Sequence, residues 1–248
     1  MNFAVPPEAY ARFMGRYAEP LAAVFASFVG VEARDKVLDV GCGPGALTAH
    51  LLSVGAVVVA IDPSPPFVDA IRVRFPDVDV RQGAAEELPY GTAAFDAAVA
   101  QLVVHFMTDP VVGVRQMARV TRRGGVVAAC VWDGPTGALA PFWDAVHVMA
   151  PSVEDEALLS GAHEGHLTEL FEAAGLRDVE EDSIAVDVVH PTFDEWWEPY
   201  TLGVGPAGAY FQQLDDEARA RLEGVARERL GSGPFTVTAT AWAARGTV

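Results

Sequence analysis

The sequence predicts an α/β domain, a mostly parallel sheet covered by helices on both faces. Three observations point to it. Between residues 36 and 132, short continuous apolar runs alternate with helical periods, the pattern of parallel strands buried on both sides. The first of those runs, Val37-Leu38-Asp39-Val40, passes through Gly41-Cys42-Gly43-Pro44-Gly45 straight into a helical stretch, a tight turn at the carboxyl end of a strand. No Ser/Gly/Pro-rich linker and no internal repeat interrupts the 248 residues, so 1–248 reads as a single domain.

In order along the chain, Tyr10, Phe13, Met14, Tyr17, Leu21, Val24, Phe25 and Phe28 recur at steps of three and four. They make residues 1–30 one or two amphipathic helices set to cap the sheet. Pro20 is expected in the first turn of the second. A core over 35–132 follows, with strands at Lys36–Val40, Val57–Ile61, Val78–Arg81, Phe95–Gln101 and Val126–Trp132. The first strand leads into a helix over Gly45–Ser53. The second leads into a helix capped by Ser64, with Pro65 at its first position and Phe67, Val68 and Ile71 turned inward. Thr108 and Pro110 open a helix through Val120 that stops at Gly124-Gly125. Beyond Asp133 the rhythm loosens, and 133–248 completes the sheet while carrying insertions. Helices are expected over Leu139–Met149, Glu164–Ala174 and Asp215–Leu230, the last with Asp215, Asp216 and Glu217 at the favourable end of its dipole. Strands are expected at Ile184–Val189 and Phe235–Ala243. Phe193–Gly208, which contains Trp196 and Trp197, shows no clear period.

Composition narrows the function. Apolar residues at 51% against 21% charged can bury a substantial core. Seventeen basic against 34 acidic residues leave a net charge of −17, which repels a phosphate backbone, so nucleic acid is not an expected partner. Cys42 and Cys130 are too few for a disulfide scaffold or a zinc site and read as reduced thiols in a cytoplasmic protein. His163-Glu164-Gly165-His166 spaces its histidines three apart rather than four, and no metal site is expected. Residues 1–7 lack the pattern of a signal peptide, and the uncharged runs Ala97–Thr108 and Gly124–Trp132 fall short of a membrane span. The expectation is a soluble monomer or homodimer acting on a small molecule.

The glycine turn admits two ligands. Gly41-x-Gly43-x-x-Ala46, with Asp62 at the end of the second strand, satisfies the loose dinucleotide fingerprint of an NAD-dependent oxidoreductase. Asp39 argues against it. A carboxylate two residues before the first glycine points into the space a pyrophosphate needs and suits a cationic ligand.

The segment from Val37 to Thr48 resembles the first motif of the class I S-adenosylmethionine-dependent methyltransferases, and the downstream matches resemble their methyltransferase type 11 domain family. Asp62-Pro63 resembles the site of the acidic residue that holds the cofactor ribose. Gly83-Ala84-Ala85-Glu86-Glu87-Leu88-Pro89-Tyr90 resembles the segment beside the adenine, with Ala84 in place of the usual aspartate. Phe95-Asp96 with Gln101 resembles the fourth strand and the residue after it that faces the methionyl end. Arg119-Val120-Thr121-Arg122-Arg123-Gly124-Gly125 resembles the motif before the fifth strand, with Arg123 replacing a proline. The resemblance covers about residues 35–132 and implies a Rossmann-like sheet of seven strands in the order 3-2-1-4-5-7-6, strand 7 antiparallel. It implies S-adenosylmethionine as cofactor, contacted by Tyr10, Tyr17, Asp39, Gly41, Cys42, Gly43, Asp62, Pro63, Ala85, Glu86 and Gln101.

Several roles stay open at this level. His105 is either part of a packed turn or a neutral imidazole that takes a proton from the acceptor. Tyr10 and Tyr17 either pack in the core or touch the cofactor. Trp132, Trp143, Trp196 and Trp197 line either the core or a substrate pocket. A protein that binds the cofactor for a regulatory purpose, without turnover, is the alternative to an enzyme.

Overall fold

The computed structural model describes residues 6–248, so the part of the expected capping helices and of the amino-terminal reading that falls on residues 1–5 lies outside it. The strands are β1 (Lys36–Val40), β2 (Val57–Asp62), β3 (Asp79–Gln82), β4 (Phe95–Gln101), β5 (Thr121–Trp132), β6 (Arg177–His190) and β7 (Phe235–Thr247). They form one sheet in the order β3-β2-β1-β4-β5-β7-β6. The first five run parallel, and β7 pairs antiparallel with both β5 and β6.

Alternation along each strand divides the core. Val37, Val58, Ala97 and Val99 face a large cluster built with α2 (Arg16–Val29), α3 (Ala46–Ser53) and α6 (Ala140–Met149). Leu38, Val40, Val59 and Ala98 face the other way, against α5 (Pro110–Val120) and α7 (His166–Ala174). Val68 and Ile71 of α4 (Pro65–Arg74) close on Ala60 and Val80. Both faces are covered, which explains why these strands read as unbroken apolar runs. Because β2 and β4 lie on opposite sides of β1, the chain winds away in two directions from it and leaves a crevice at the carboxyl ends of β1 and β4.

Several expected elements shift. Pro20 does not open a helix; it sits inside α2, at its fifth position. The chain is helical from α1 (Pro7–Tyr10) through a π-helical turn at Ala11–Gly15, which widens the backbone one turn before the proline removes a hydrogen bond from the ladder. β5 starts at Thr121 rather than Val126. Gly124 and Gly125 belong to the strand, where a side chain on Gly125 would lie 2.4 Å from the Asp96 carbonyl, and the register slips between Phe95 and Ala97. β3 is displaced by one residue. β6 and β7 are much longer than their apolar stretches, because β6 lies at the sheet edge and can carry polar side chains such as Glu180, which pairs with Arg245 of β7 at 2.6 Å.

The segment without a period is ordered by aromatic contacts. It forms α8 (Phe193–Trp197), a 3₁₀ turn at Glu198–Leu202 and the start of α9 (Gly205–Gln213), and α10 (Asp216–Leu230) follows. Tyr200 stacks on Phe142 with ring centres 4.5 Å apart and meets Trp196 at 5.0 Å, so the rings hold what helical periodicity does not. With the helices at the amino terminus, this segment covers the carboxyl edge of the sheet.

Candidate active site

The site begins where β1 ends. Gly41 and Cys42 donate their backbone N–H groups to the Ile61 carbonyl at 2.7 and 3.1 Å, which ties the turn to β2. Gly41 adopts φ +70° and a side chain there would overlap Val103 at 2.5 Å, so both the conformation and the packing demand glycine. Gly43, at φ +52°, faces open space instead. Asp62 holds the turn from behind: one carboxylate oxygen accepts from the Gly43 N–H at 2.9 Å and the other from the Ser64 N–H at 2.8 Å. It therefore links the glycine turn to the start of α4.

Two carboxyl groups are buried close together here. Asp39 is 1% exposed, and its Oδ2 accepts from the Thr48 hydroxyl at 2.6 Å. Burial pushes its pKa up to about 7; the Thr48 hydrogen bond opposes the rise and the Asp62 charge adds to it. Burial also raises Asp62 to about 6, against the pull of its bonds from Ser64 and Gly43. The Cys42 thiol is driven up by its burial and by both carboxylates, so it stays protonated.

Tyr10, Asp39, Gly41, Cys42, Gly43 and Gln101 line one cavity. Gln101 donates its amide N–H to the Ala18 carbonyl at 2.9 Å, while its Oε1 is buried without a partner. A buried acceptor without a donor costs free energy that a ligand N–H or O–H recovers. Asp39, the orphaned Gln101 oxygen and the open space at Gly43 fit a ligand that brings positive charge and donors, as the methionyl end of S-adenosylmethionine does.

The other expected contacts lie farther along the same edge. Asp62 sits behind the turn and Pro63 beside it is exposed, its carbonyl 3.3 Å from the Gln82 amide. Ala85 is buried, and Glu86 uses Oε1 to accept from the Thr108 and Asp109 N–H groups at 2.7 and 3.3 Å, which fixes the start of α5. None of these four lines the cavity. Tyr17 is a correction: its hydroxyl bonds to His190 Nε2 at 2.8 Å, under Trp196, because α2 turns this side chain toward β6 and away from the glycine turn. Tyr10 does reach the cavity. Its ring packs edge-on against Phe67, and enclosure together with the Asp62 charge raises its hydroxyl pKa.

A second, larger cavity adjoins the first, and Tyr10 and Leu102 line both. Its walls are mostly apolar, from Phe13, Met14, Phe106, Trp132, Leu139 and Trp143. His105 stands in this cavity. Its Nδ1 is buried without a partner, and burial lowers its pKa to about 3, so the ring is neutral at physiological pH. Of the two acidic side chains in the lining, Asp133 is consumed by Trp242 Nε1 at 2.8 Å and by Thr136. Glu156 accepts from Trp143 Nε1 at 3.0 Å. Sequence reasoning missed Glu156, because nothing in the polar stretch after residue 150 marks one carboxylate as turned inward.

Among the described residues, no helix is long and apolar enough to cross a membrane, and no group of three or more His, Cys, Asp or Glu side chains could hold a metal ion. Residues 38–129 match the family model described as a methyltransferase domain. The chain is 38% identical over 101 residues to an uncharacterized methyltransferase of Mycobacterium tuberculosis, a match that spans 41% of this chain and 41% of that relative. It is 32% identical over 160 residues to a demethylmenaquinone methyltransferase of Mycolicibacterium vanbaalenii, across 58% of this chain and 69% of the relative. The fold is shared with a phosphoethanolamine N-methyltransferase of Haemonchus contortus solved with S-adenosyl-L-methionine, at 15% identity and a TM-score of 0.61, covering 97% of this chain and 56% of that one. With its motifs, sheet order and relatives in agreement, the chain belongs to the class I S-adenosylmethionine-dependent methyltransferase family.

Proposed function

We propose that this protein transfers the methyl group of S-adenosylmethionine to a small molecule. The observation that carries the reading is a pair of neighbouring cavities that share Tyr10 and Leu102 in their walls: a smaller one at the glycine turn, holding Asp39 and Gln101, and a larger, mostly apolar one. The sulfonium supplies an activated methyl group, so the chain needs chiefly to align two reactants and exclude water. Asp39, Gly43 and the Gln101 oxygen receive the amino-acid end of the cofactor. Asp62, with Pro63, Ala85 and Glu86 along the same edge, serves the nucleoside end, where each Asp62 oxygen keeps lone pairs beyond its one backbone bond. Tyr10 closes over the junction.

His105 stays neutral and offers a ring nitrogen to a donor on the acceptor molecule. With a pKa near 3 it orients that donor better than it removes a proton, which favours an acceptor that is nucleophilic once bound. The net charge of −17 and the two reduced cysteines support a cytoplasmic protein, monomer or homodimer, that does not act on nucleic acid. The test is incubation with S-adenosylmethionine and fractionated metabolite extracts. Formation of S-adenosylhomocysteine in step with one methylated product supports the proposal. Tight cofactor binding without turnover in any fraction points to a regulatory binder instead.

A further inference from the structure

The larger cavity carries information about its occupant. Among the described residues no lysine or arginine lines it, so an acceptor that presents a carboxylate or phosphate there finds no counter-charge from them. The side chains that do line it are rings and aliphatic groups, together with two carboxyls. Asp133 is saturated by Trp242 and Thr136, whereas Glu156 uses one oxygen for the Trp143 indole N–H. The other, Oε1, has no hydrogen-bond donor among the described residues. Trp143, Trp132 and Phe106 line the same space, and aromatic rings attract cations as well as apolar bodies. A carboxylate with a free oxygen, set in an aromatic wall with no competing cation, is a recognition site for positive charge.

We infer that the cavity binds an apolar organic amine as its ammonium form, with Glu156 pairing to the charged nitrogen and the aromatic walls enclosing the carbon skeleton. This rests on the methyltransferase reading and names the class of acceptor that Glu156 selects. Trp143 positions the carboxylate by holding Oε2, and the free oxygen faces the ligand. The charged nitrogen has no lone pair, so it anchors the molecule through Glu156, and another nucleophilic atom of the same molecule receives the methyl group.

The test is calorimetric titration of the full chain with phenethylamine, phenethyl alcohol and phenylacetate, which share a ring and differ in charge. The amine should bind at least about tenfold more tightly than the other two, the worth of one charge-assisted bond. Glu156→Gln keeps the volume and an oxygen for Trp143, and it should erase that preference while leaving alcohol binding unchanged. Equal binding of the three, preference for phenylacetate, no binding of the amine, or a preference that survives in Glu156→Gln overturns the inference. Each sample is also titrated with S-adenosylhomocysteine: loss of that binding in the native chain would overturn the methyltransferase reading and leave the amine result standing by itself.

Should the variant fail to fold, the native chain decides by pH. Burial raises Glu156 to about 7, so amine affinity should climb across about pH 6 to 8 as the carboxylate ionises, with alcohol affinity flat. A flat or falling amine curve overturns the inference. The groups facing Glu156 are Asp155, itself 3.7 Å from His147, and Tyr200, with His105, Asp133 and Tyr10 across the cavity. Asp39 titrates in the same range in the adjoining cavity, and the series is therefore run with S-adenosylhomocysteine at saturation.

Discussion

Asp39→Asn should make the unliganded protein more stable and the cofactor bind less well. The native carboxyl is 1% exposed and is pushed from the ordinary 3.8 up to about 7, chiefly by burial. An acid whose folded pKa lies above its unfolded value binds more protons when folded. It therefore destabilises increasingly as pH rises from its unfolded pKa to its folded one. At about pH 8 the full difference acts, and it corresponds to an upper figure of about 4 kcal/mol; at about pH 5 it falls to about 2 kcal/mol. Asparagine keeps the shape and an oxygen for the Thr48 hydroxyl, now 2.6 Å from the Asp39 carboxylate, and removes the charge. In a domain of this size each kcal/mol moves Tm by about 2–4 °C, so at about pH 8 the variant should melt several degrees above the native chain, and the gap should narrow as pH falls. The same substitution puts an amide N–H where a cationic ligand wants an acceptor, and S-adenosylhomocysteine affinity should drop by about tenfold or more. Thermal melts at the two pH values and calorimetry measure both effects. A variant that melts lower than native at about pH 8 and binds the ligand equally well would refute the reasoning.

Two further perturbations separate packing from binding. Gly41→Ala places a methyl 2.5 Å from Val103 in a left-handed conformation and should cost stability outright, by about 2 kcal/mol or more, whereas Gly43→Ala meets no protein atom, pays only the conformational cost of about 1 kcal/mol, and should lose ligand affinity out of proportion to its Tm; native affinity in Gly43→Ala would show that this side of the turn faces no ligand. Asp62→Ala strips the Gly43 and Ser64 N–H groups of their acceptor but also removes a carboxylate that burial has raised to about 6, so the melting point should change modestly while cofactor affinity falls at least about tenfold; a folded variant with unchanged affinity in calorimetry would mean the nucleoside end lies elsewhere.

The sequence was most legible where one physical rule acted alone. β1, β2 and β4 are buried on both faces, so continuous apolar runs marked them to within a residue. The sheet order came from the family resemblance, since periodicity does not order strands. Where tertiary contacts overrode local signals, the reading slipped. Glycines at 124 and 125 look like a helix stop but bend a strand against Asp96, and the acidic residues of β6 conceal an edge strand that Arg245 helps to hold. In the site, Asp39, Gly41, Cys42 and Gly43 reach one cavity because the strand-turn-helix geometry carries them to the carboxyl edge, and Gln101 joins them because it ends the neighbouring parallel strand β4. Tyr10 and Tyr17 are seven residues apart on one apolar stripe, and nothing local reveals that the intervening π-helical turn leaves one at the glycine loop and the other on His190. Glu156 was invisible for a related reason: its role depends on Trp143, thirteen positions away, and on the cavity both of them line.

The most direct test of the account is calorimetric titration of the native chain with S-adenosylmethionine and S-adenosylhomocysteine across the range in which Asp39 and Asp62 ionise, about pH 5.5 to 8. The account predicts saturable binding of both. Affinity should rise with pH as the two carboxyls lose protons, and it should rise more steeply for the sulfonium, which carries one more positive charge than its product. Binding of neither compound, or affinities for both that fall as the carboxyls ionise, would contradict it.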